Sequence, residues 1–132
     1  MTTCYLDASA LVKLATEEAE SEALRTHLAA YGSRISSRVA TVEVPRALAR
    51  KGGAEGVAVT WAEVIGSLVL IELDELVAAA AADLVPAALR SLDAIHLATA
   101  KALGNDLKAF VTYDARLADA ARAAGMTVVA PA

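Results

Sequence analysis

The chain opens with Thr3-Cys4-Tyr5-Leu6, an apolar run that stops at Asp7, so residues 3–7 read as a short buried strand. Ser9 stands just ahead of Ala10, Leu11 and Val12 and is placed to cap the helix they begin. Residues 20–31 carry Ala23, Leu24, Leu28 and Tyr31 at helical spacing and end at Gly32, a common stop signal. A brief strand is expected around Ile35, followed by helical character from Val39 through Val42 and Leu48 to the Gly52-Gly53 pair. Pro45 disturbs this stretch: proline has no N–H and disfavours α geometry in the residue before it, so the helix should kink near Val44 or start close to it.

Residues 54–65 read as another helix. Residues 68–73 form an apolar run between Gly66-Ser67 and Asp74, the pattern of a strand covered on both faces, and Asp74 is placed to cap the helix after it. Further helices are expected over residues 75–84, 92–103 and 116–124, with strands over 108–112 and 126–129. Strands and helices thus alternate with helix-length connections, which implies an α/β fold: a mostly parallel sheet with helices on both faces. In such sheets the ligand crevice lies beyond the carboxyl ends of the strands, where Asp7 and Asp114 each terminate an apolar run.

Composition narrows the picture. A chain of 132 residues fits one domain, here residues 1–132, with one core. Hydrophobic residues make up 57% and aromatics only 4%, so that core must be built from Ala, Val, Leu and Ile rather than from large rings. A formal net charge of −4 argues against non-specific coating of nucleic acid, although a local basic patch can still grip phosphates. Cys4, the one cysteine, rules out an intramolecular disulfide, fits a reducing compartment and is expected to be a buried, inert thiol. No basic segment precedes the first apolar run, Asp7 interrupts it, and later apolar stretches are cut by Asp74, Asp83 or Pro86, short of the ~20 residues a spanning helix needs. A soluble cytoplasmic protein without a membrane segment is expected.

Candidate chemistry sits in four stretches: Tyr5-Leu6-Asp7-Ala8-Ser9, Val42-Glu43-Val44, Leu92-Asp93-Ala94-Ile95-His96-Leu97-Ala98, and Thr112-Tyr113-Asp114-Ala115-Arg116-Leu117. Each places one acid in an apolar frame. Burying an unpaired carboxylate is costly, so four such acids suggest a shared positive partner, and a divalent cation would supply it. Oxygen donors without a cysteine or histidine cluster favour Mg²⁺ or Mn²⁺ over Zn²⁺, with one or two ions. Such ions support phosphodiester hydrolysis without a side-chain nucleophile.

At these stretches, and over nearly the whole chain, the sequence resembles the PIN-domain family, particularly the VapC-like ribonuclease toxins of bacterial toxin–antitoxin pairs; residues 92–100, Leu-Asp-Ala-Ile-His-Leu-Ala-Thr-Ala, carry the most specific part. The resemblance implies a three-layer α/β/α fold, Mg²⁺-dependent cleavage of RNA, and catalytic acids at Asp7, Glu43, Asp93 and Asp114. It also implies homodimers inhibited by a small VapB-like antitoxin that inserts into the active-site groove.

Neighbouring residues admit supporting roles or plainer ones. Ser9 caps the first helix, holds a metal-bound water, or does both; Thr112 orients Asp114 or simply suits a strand end. Arg116 could pair with a site carboxylate, touch the RNA backbone, or lie on the surface. Arg46 and Arg50 share a helical face with Glu43 if the kink is mild, and could cradle phosphates, dock the inhibitor, or form a solvated stripe. His96 reads as a hydrogen-bonded core residue outside the metal site, Asp119 as a solvated acid, and Trp61 as packing for a helix or a subunit interface rather than a base-stacking platform.

An aspartyl-phosphate hydrolase would want a second Asp where Ser9 stands, and a phosphoacceptor domain would want a second acid near Asp7 or before the helix that Tyr31 closes. A non-catalytic PIN-like protein-binding module would keep the fold without needing all four acids.

Overall fold

In this computed structural model, residues 2–53 and 56–132 are described. The elements run β1 (Thr3–Leu6), α1 (Ala8–Ala15), α2 (Ser21–Leu28), β2 (Ser33–Ser37), α3 (Ala40–Arg50), α4 (Val57–Gly66), β3 (Val69–Ile71), α5 (Glu75–Ala82), α6 (Ser91–Lys101), β4 (Leu107–Val111), α7 (Ala115–Ala123) and β5 (Val128–Val129). The five strands form one parallel sheet in the order β3-β2-β1-β4-β5. The chain moves outward from β1 through β2 to β3, then crosses back to β4 and β5. The switch in direction lies between β1 and β4, the place where such sheets put a ligand crevice beyond the carboxyl ends of the strands.

Alternation along the central strands sets the layers. Cys4 and Leu6 of β1, with Ala109 and Val111 of β4, join a core with α1, α2, α3 and α4. Tyr5 and Phe110 point the other way and pack with Leu97 of α6 and Leu117 and Ala121 of α7. Their rings stack at 5.3 Å with an interplanar angle of 10°. Right-handed crossovers account for this division, since connections running in opposite directions along the sheet place their helices on opposite faces. The α/β class and the layering agree with the sequence reading.

Burial at helical spacing explains the outer elements. Ala40, Val44 and Leu48 recur every four residues on α3 and are all buried. Trp61 anchors α4 in the same core, and Cys4 is fully buried, its thiol pushed up to about 11 chiefly by burial. Asp74 caps α5 by accepting from the Val77 N–H, as expected. Among the described residues no helix is long and apolar enough to cross a membrane.

Two local expectations need correction, an alternative at Pro45 is narrowed, and another expectation extends past what is described. Of the kink near Val44 or the start close to it that Pro45 led us to expect, the start is ruled out: α3 begins at Ala40 and includes Pro45. Its first turn closes through the N–H groups of Thr41 and Val42 bonding to the carbonyls of Arg38 and Val39. Proline inside a helix costs about 3 kcal/mol, and burying Val44 and Leu48 offsets this at about 1.5–3 kcal/mol each. The strand read at residues 68–73 is not covered on both faces; β3 is three residues long, lies at the sheet edge, and leaves Val69 53% exposed. Ser9 does not cap α1. Asp7 does, because an aspartate directly before the helix reaches the Ala10 N–H. Of the helix expected over residues 54–65, the first two positions lie outside the described residues.

Candidate active site

Asp7 leaves the end of β1 and turns its carboxylate back over the first turn of α1. Oδ1 accepts from the Ala10 N–H at 3.0 Å and from the Ser9 hydroxyl at 2.7 Å, while Oδ2 accepts from the Thr112 hydroxyl at 2.6 Å. The residue is only 3% exposed. Burial pushes its carboxyl above the usual range, and the bonds from Thr112 and Ser9 oppose that shift.

Both hydroxyl protons are committed to Asp7. Ser9 Oγ accepts from the Tyr113 N–H at 2.9 Å, and Thr112 Oγ1 accepts from the Asp114 N–H at 3.1 Å. Each therefore gives its single proton to Asp7 and receives one from the β4–α7 turn, which stitches the ends of β1 and β4 together. Thr112 thus receives the Asp114 backbone N–H and donates to Asp7.

Asp114 caps α7, Oδ1 accepting from the N–H groups of Arg116 and Leu117. Its Oδ2 faces Arg90 Nη2 at 3.2 Å, and the same guanidinium reaches Asp93 Oδ2 from Nε at 3.4 Å. Asp93 sits in the first turn of α6. Burial first, and the negative charge of Asp114 second, push its carboxyl up, with Arg90 pulling the other way. Asp7, Asp114 and Asp93 are thus linked in turn through Thr112 and Arg90.

Glu43 enters from α3. Its Oε1 lies 2.6 Å from His96 Nε2, and His96 Nδ1 lies 2.7 Å from the Tyr5 hydroxyl. A carboxylate only accepts, so the network assigns the imidazole proton to Nε2, and Tyr5 O–H donates to Nδ1. Burial, and next the charge of Asp7, hold the Tyr5 phenol well above its ordinary value, which keeps it a donor. His96 is 1% exposed, so the expected core histidine is present, but its ring also braces a site acid.

Asp7, Asp114 and Asp93 are thus bridged near the carboxyl ends of β1 and β4, and Glu43 reaches His96 on the helix that carries Asp93. Among the described residues no three His, Cys, Asp or Glu side chains stand as a ready metal-ligand group. The donor set still fits a hard divalent cation: it is all carboxylate oxygen, and Mg²⁺ usually takes one or two carboxylates and keeps several waters. Asp93 and Asp114, sharing one arginine between them, fit that role.

Among the described residues the Arg116 side chain pairs with no carboxylate; only its backbone N–H bonds Asp114. Arg46 and Arg50 are exposed on α3 and form no ion pair among these residues. Asp119 is the solvated acid expected, 3.5 Å from Arg122. Sequence reasoning missed Arg90, whose signal was its place one helical turn ahead of Asp93, and missed the link from Tyr5 through His96 to Glu43.

The PIN domain family model matches residues 4–123. A curated protein named Ribonuclease VapC46, from Mycobacterium tuberculosis, is 48% identical over 131 residues, covering 99% of each chain. Among solved structures, Mycobacterium tuberculosis VapC20, described as a sarcin-ricin loop cleaving toxin, superimposes with a TM-score of 0.75 at 16% identity, covering 97% of this chain and 99% of the other. VapBC2 from Rickettsia felis, solved bound to a DNA fragment from its promoter, gives a TM-score of 0.71 at 11% identity, covering 99% and 100%. Family model, full-length identity and fold agree: the chain belongs to the PIN-domain family and is similar throughout to its VapC members.

Proposed function

We propose that the chain is a metal-dependent endoribonuclease, the toxin of a VapBC-type toxin–antitoxin pair, acting in the cytoplasm. The observation that carries this reading is the run of contacts that links Asp7, Asp93 and Asp114 through Thr112 and Arg90, with Glu43 held by His96 on the helix of Asp93. The 48% identity to a protein named as a ribonuclease supports the choice of RNA as substrate.

Mg²⁺, or Mn²⁺ in its place, would be held by Asp93 and Asp114 with Asp7 and Glu43 beside them, and would supply the positive charge that acidifies a water and stabilises the leaving oxygen. The protein's share is placement. Ser9, Thr112 and the Ala10 N–H fix both oxygens of Asp7, and the α7 N-terminus fixes one oxygen of Asp114. Glu43 keeps Oε2 without a protein partner among the described residues, so that oxygen can take the proton of an attacking water.

A VapB-like antitoxin would block the same site. Pairing of two copies is supported by the large apolar side chains exposed between α5 and the start of α6: Leu76, Val85 and Leu92.

The test is cleavage of a structured RNA by purified protein in Mg²⁺, Mn²⁺ or EDTA, beside Asp7→Asn. Cleavage in either cation, lost in EDTA and in the variant, is expected. RNA left intact under all conditions would favour a non-catalytic binding module, and cleavage that survives EDTA would contradict the metal site.

A further inference from the structure

Arg90 is held loosely. Its contacts to Asp93 and Asp114, at 3.4 and 3.2 Å, exceed the 2.7–2.9 Å usual for strong charge-assisted bonds, and its side chain is 69% exposed. The residue sits just before α6 with extended backbone (φ −63°, ψ 151°), so its side chain can swing without disturbing the helix. Beside it lies a groove of about 540 Å³ whose lining includes Pro86, Leu89, Arg90, Asp93, Arg116 and Ala120.

The groove has the features a nucleic-acid strand requires. Its floor is apolar, suited to a sugar or a base face, and its volume lies within the range of small-molecule sites. Two guanidiniums line it, and Arg116 has no acidic partner among the described residues. Asp119, the other acid in its lining, has Arg122 beside it. Asp93 and Arg90 belong to both groove and acid site, so a strand lying in one runs directly into the other.

Resting on the ribonuclease reading, we infer that this groove seats the RNA strand next to the bond being cut, and that Arg90 serves it in two states. Without a divalent cation the guanidinium is the counter-ion of Asp93 and Asp114. With the cation bound, those carboxylates no longer need it, and Arg90 turns to a phosphate of the strand opposite Arg116. Cation and arginine then compete for the same oxygens, while arginine and cation cooperate on RNA.

Arg90→Gln and Arg116→Gln in the full chain separate these roles. Mn²⁺ binding by isothermal titration reads the first, and anisotropy of a labelled, cleavage-resistant phosphorothioate RNA in Mn²⁺ reads the second. Arg90→Gln should bind Mn²⁺ about 3–10-fold more tightly, since a competing charge is gone, yet bind RNA about tenfold more weakly, with the salt slope reduced by about one. Arg116→Gln should weaken RNA binding similarly and leave Mn²⁺ affinity within about twofold. Arg90→Lys keeps the charge and should hold Mn²⁺ affinity near wild type.

RNA binding unchanged in both glutamine variants would overturn the groove assignment, as would a loss confined to binding of a protein partner. Mn²⁺ affinity unchanged in Arg90→Gln would overturn the counter-ion role. A wild-type chain that binds neither Mn²⁺ nor RNA would sink the ribonuclease reading itself, and this inference with it.

Discussion

His96 braces Glu43: Nε2 stands 2.6 Å from Oε1, and the far side of the ring is fixed by the Tyr5 hydroxyl at 2.7 Å. The helix that carries Asp93 therefore also sets the orientation of an acid 53 residues earlier in the chain. Replacing His96 by Ala should lower cleavage about 10–100-fold, the usual effect of removing a group that orients a site carboxylate. It should also cost about 1–3 kcal/mol of stability, because the buried Tyr5 hydroxyl loses its acceptor. Gln, whose amide can still donate to Glu43, should recover part of the activity. Single-turnover cleavage and thermal melting measure the two effects; full activity in His96→Ala would remove the bracing role.

Asp7 gives a pH signature. Its carboxyl is raised in the folded protein, so the fold binds that proton more tightly than the unfolded chain does. The stabilisation is complete below the unfolded value near 3.8 and is lost as pH rises through the higher folded value. In EDTA, Asp7→Asn should thus melt above wild type at pH 7, and the gap should narrow as pH falls toward 4. Asn remains a good helix cap, so α1 should persist while cleavage is abolished. Melting curves across that range check the sign, and a gap that widens toward low pH would contradict it.

Cation binding should stabilise the fold. Carboxylates gathered at one site repel until positive charge joins them, so Mg²⁺ or Mn²⁺ should raise the melting temperature and EDTA reverse it. At a hundredfold excess over Kd the gain is about 2.7 kcal/mol. Differential scanning fluorimetry over a Mn²⁺ series reads it, with Asp93→Asn and Asp114→Asn each expected to blunt the response.

Cys4 should be silent. Its thiol is fully buried and pushed up to about 11, so thiolate is scarce at neutral pH and out of reach of reagents. A colourimetric thiol reagent should find none in the native protein and one equivalent in denaturant. Rapid labelling of native protein would show that the core around β1 opens far more readily than its packing implies.

Most of the architecture was legible because strand and helix periods are clear in this chain. Asp7 and Asp114 each end an apolar run, which placed both at the carboxyl edge of the sheet before any coordinates. The edge position of β3 was not legible: Leu68 to Leu73 reads as a buried strand, and neighbouring layers rather than local pattern leave Val69 exposed. Ser9 was misassigned because serine and aspartate are equally good caps, and only geometry shows Asp7 taking the role while Ser9 serves Asp7. For Arg90 the sequence offered only its place three residues ahead of Asp93. Its contact with Asp114 spans 24 residues and depends on how α6 and α7 meet, which no local spacing encodes.

The place where a cation settles decides whether these acids form a metal site. Crystals soaked in Mn²⁺ and measured for anomalous scattering locate it directly. A peak among Asp7, Asp93 and Asp114, with the Arg90 guanidinium withdrawn from the two aspartates, is the result expected. No peak there at saturating Mn²⁺, or a peak only at surface acids such as Asp119, would contradict it.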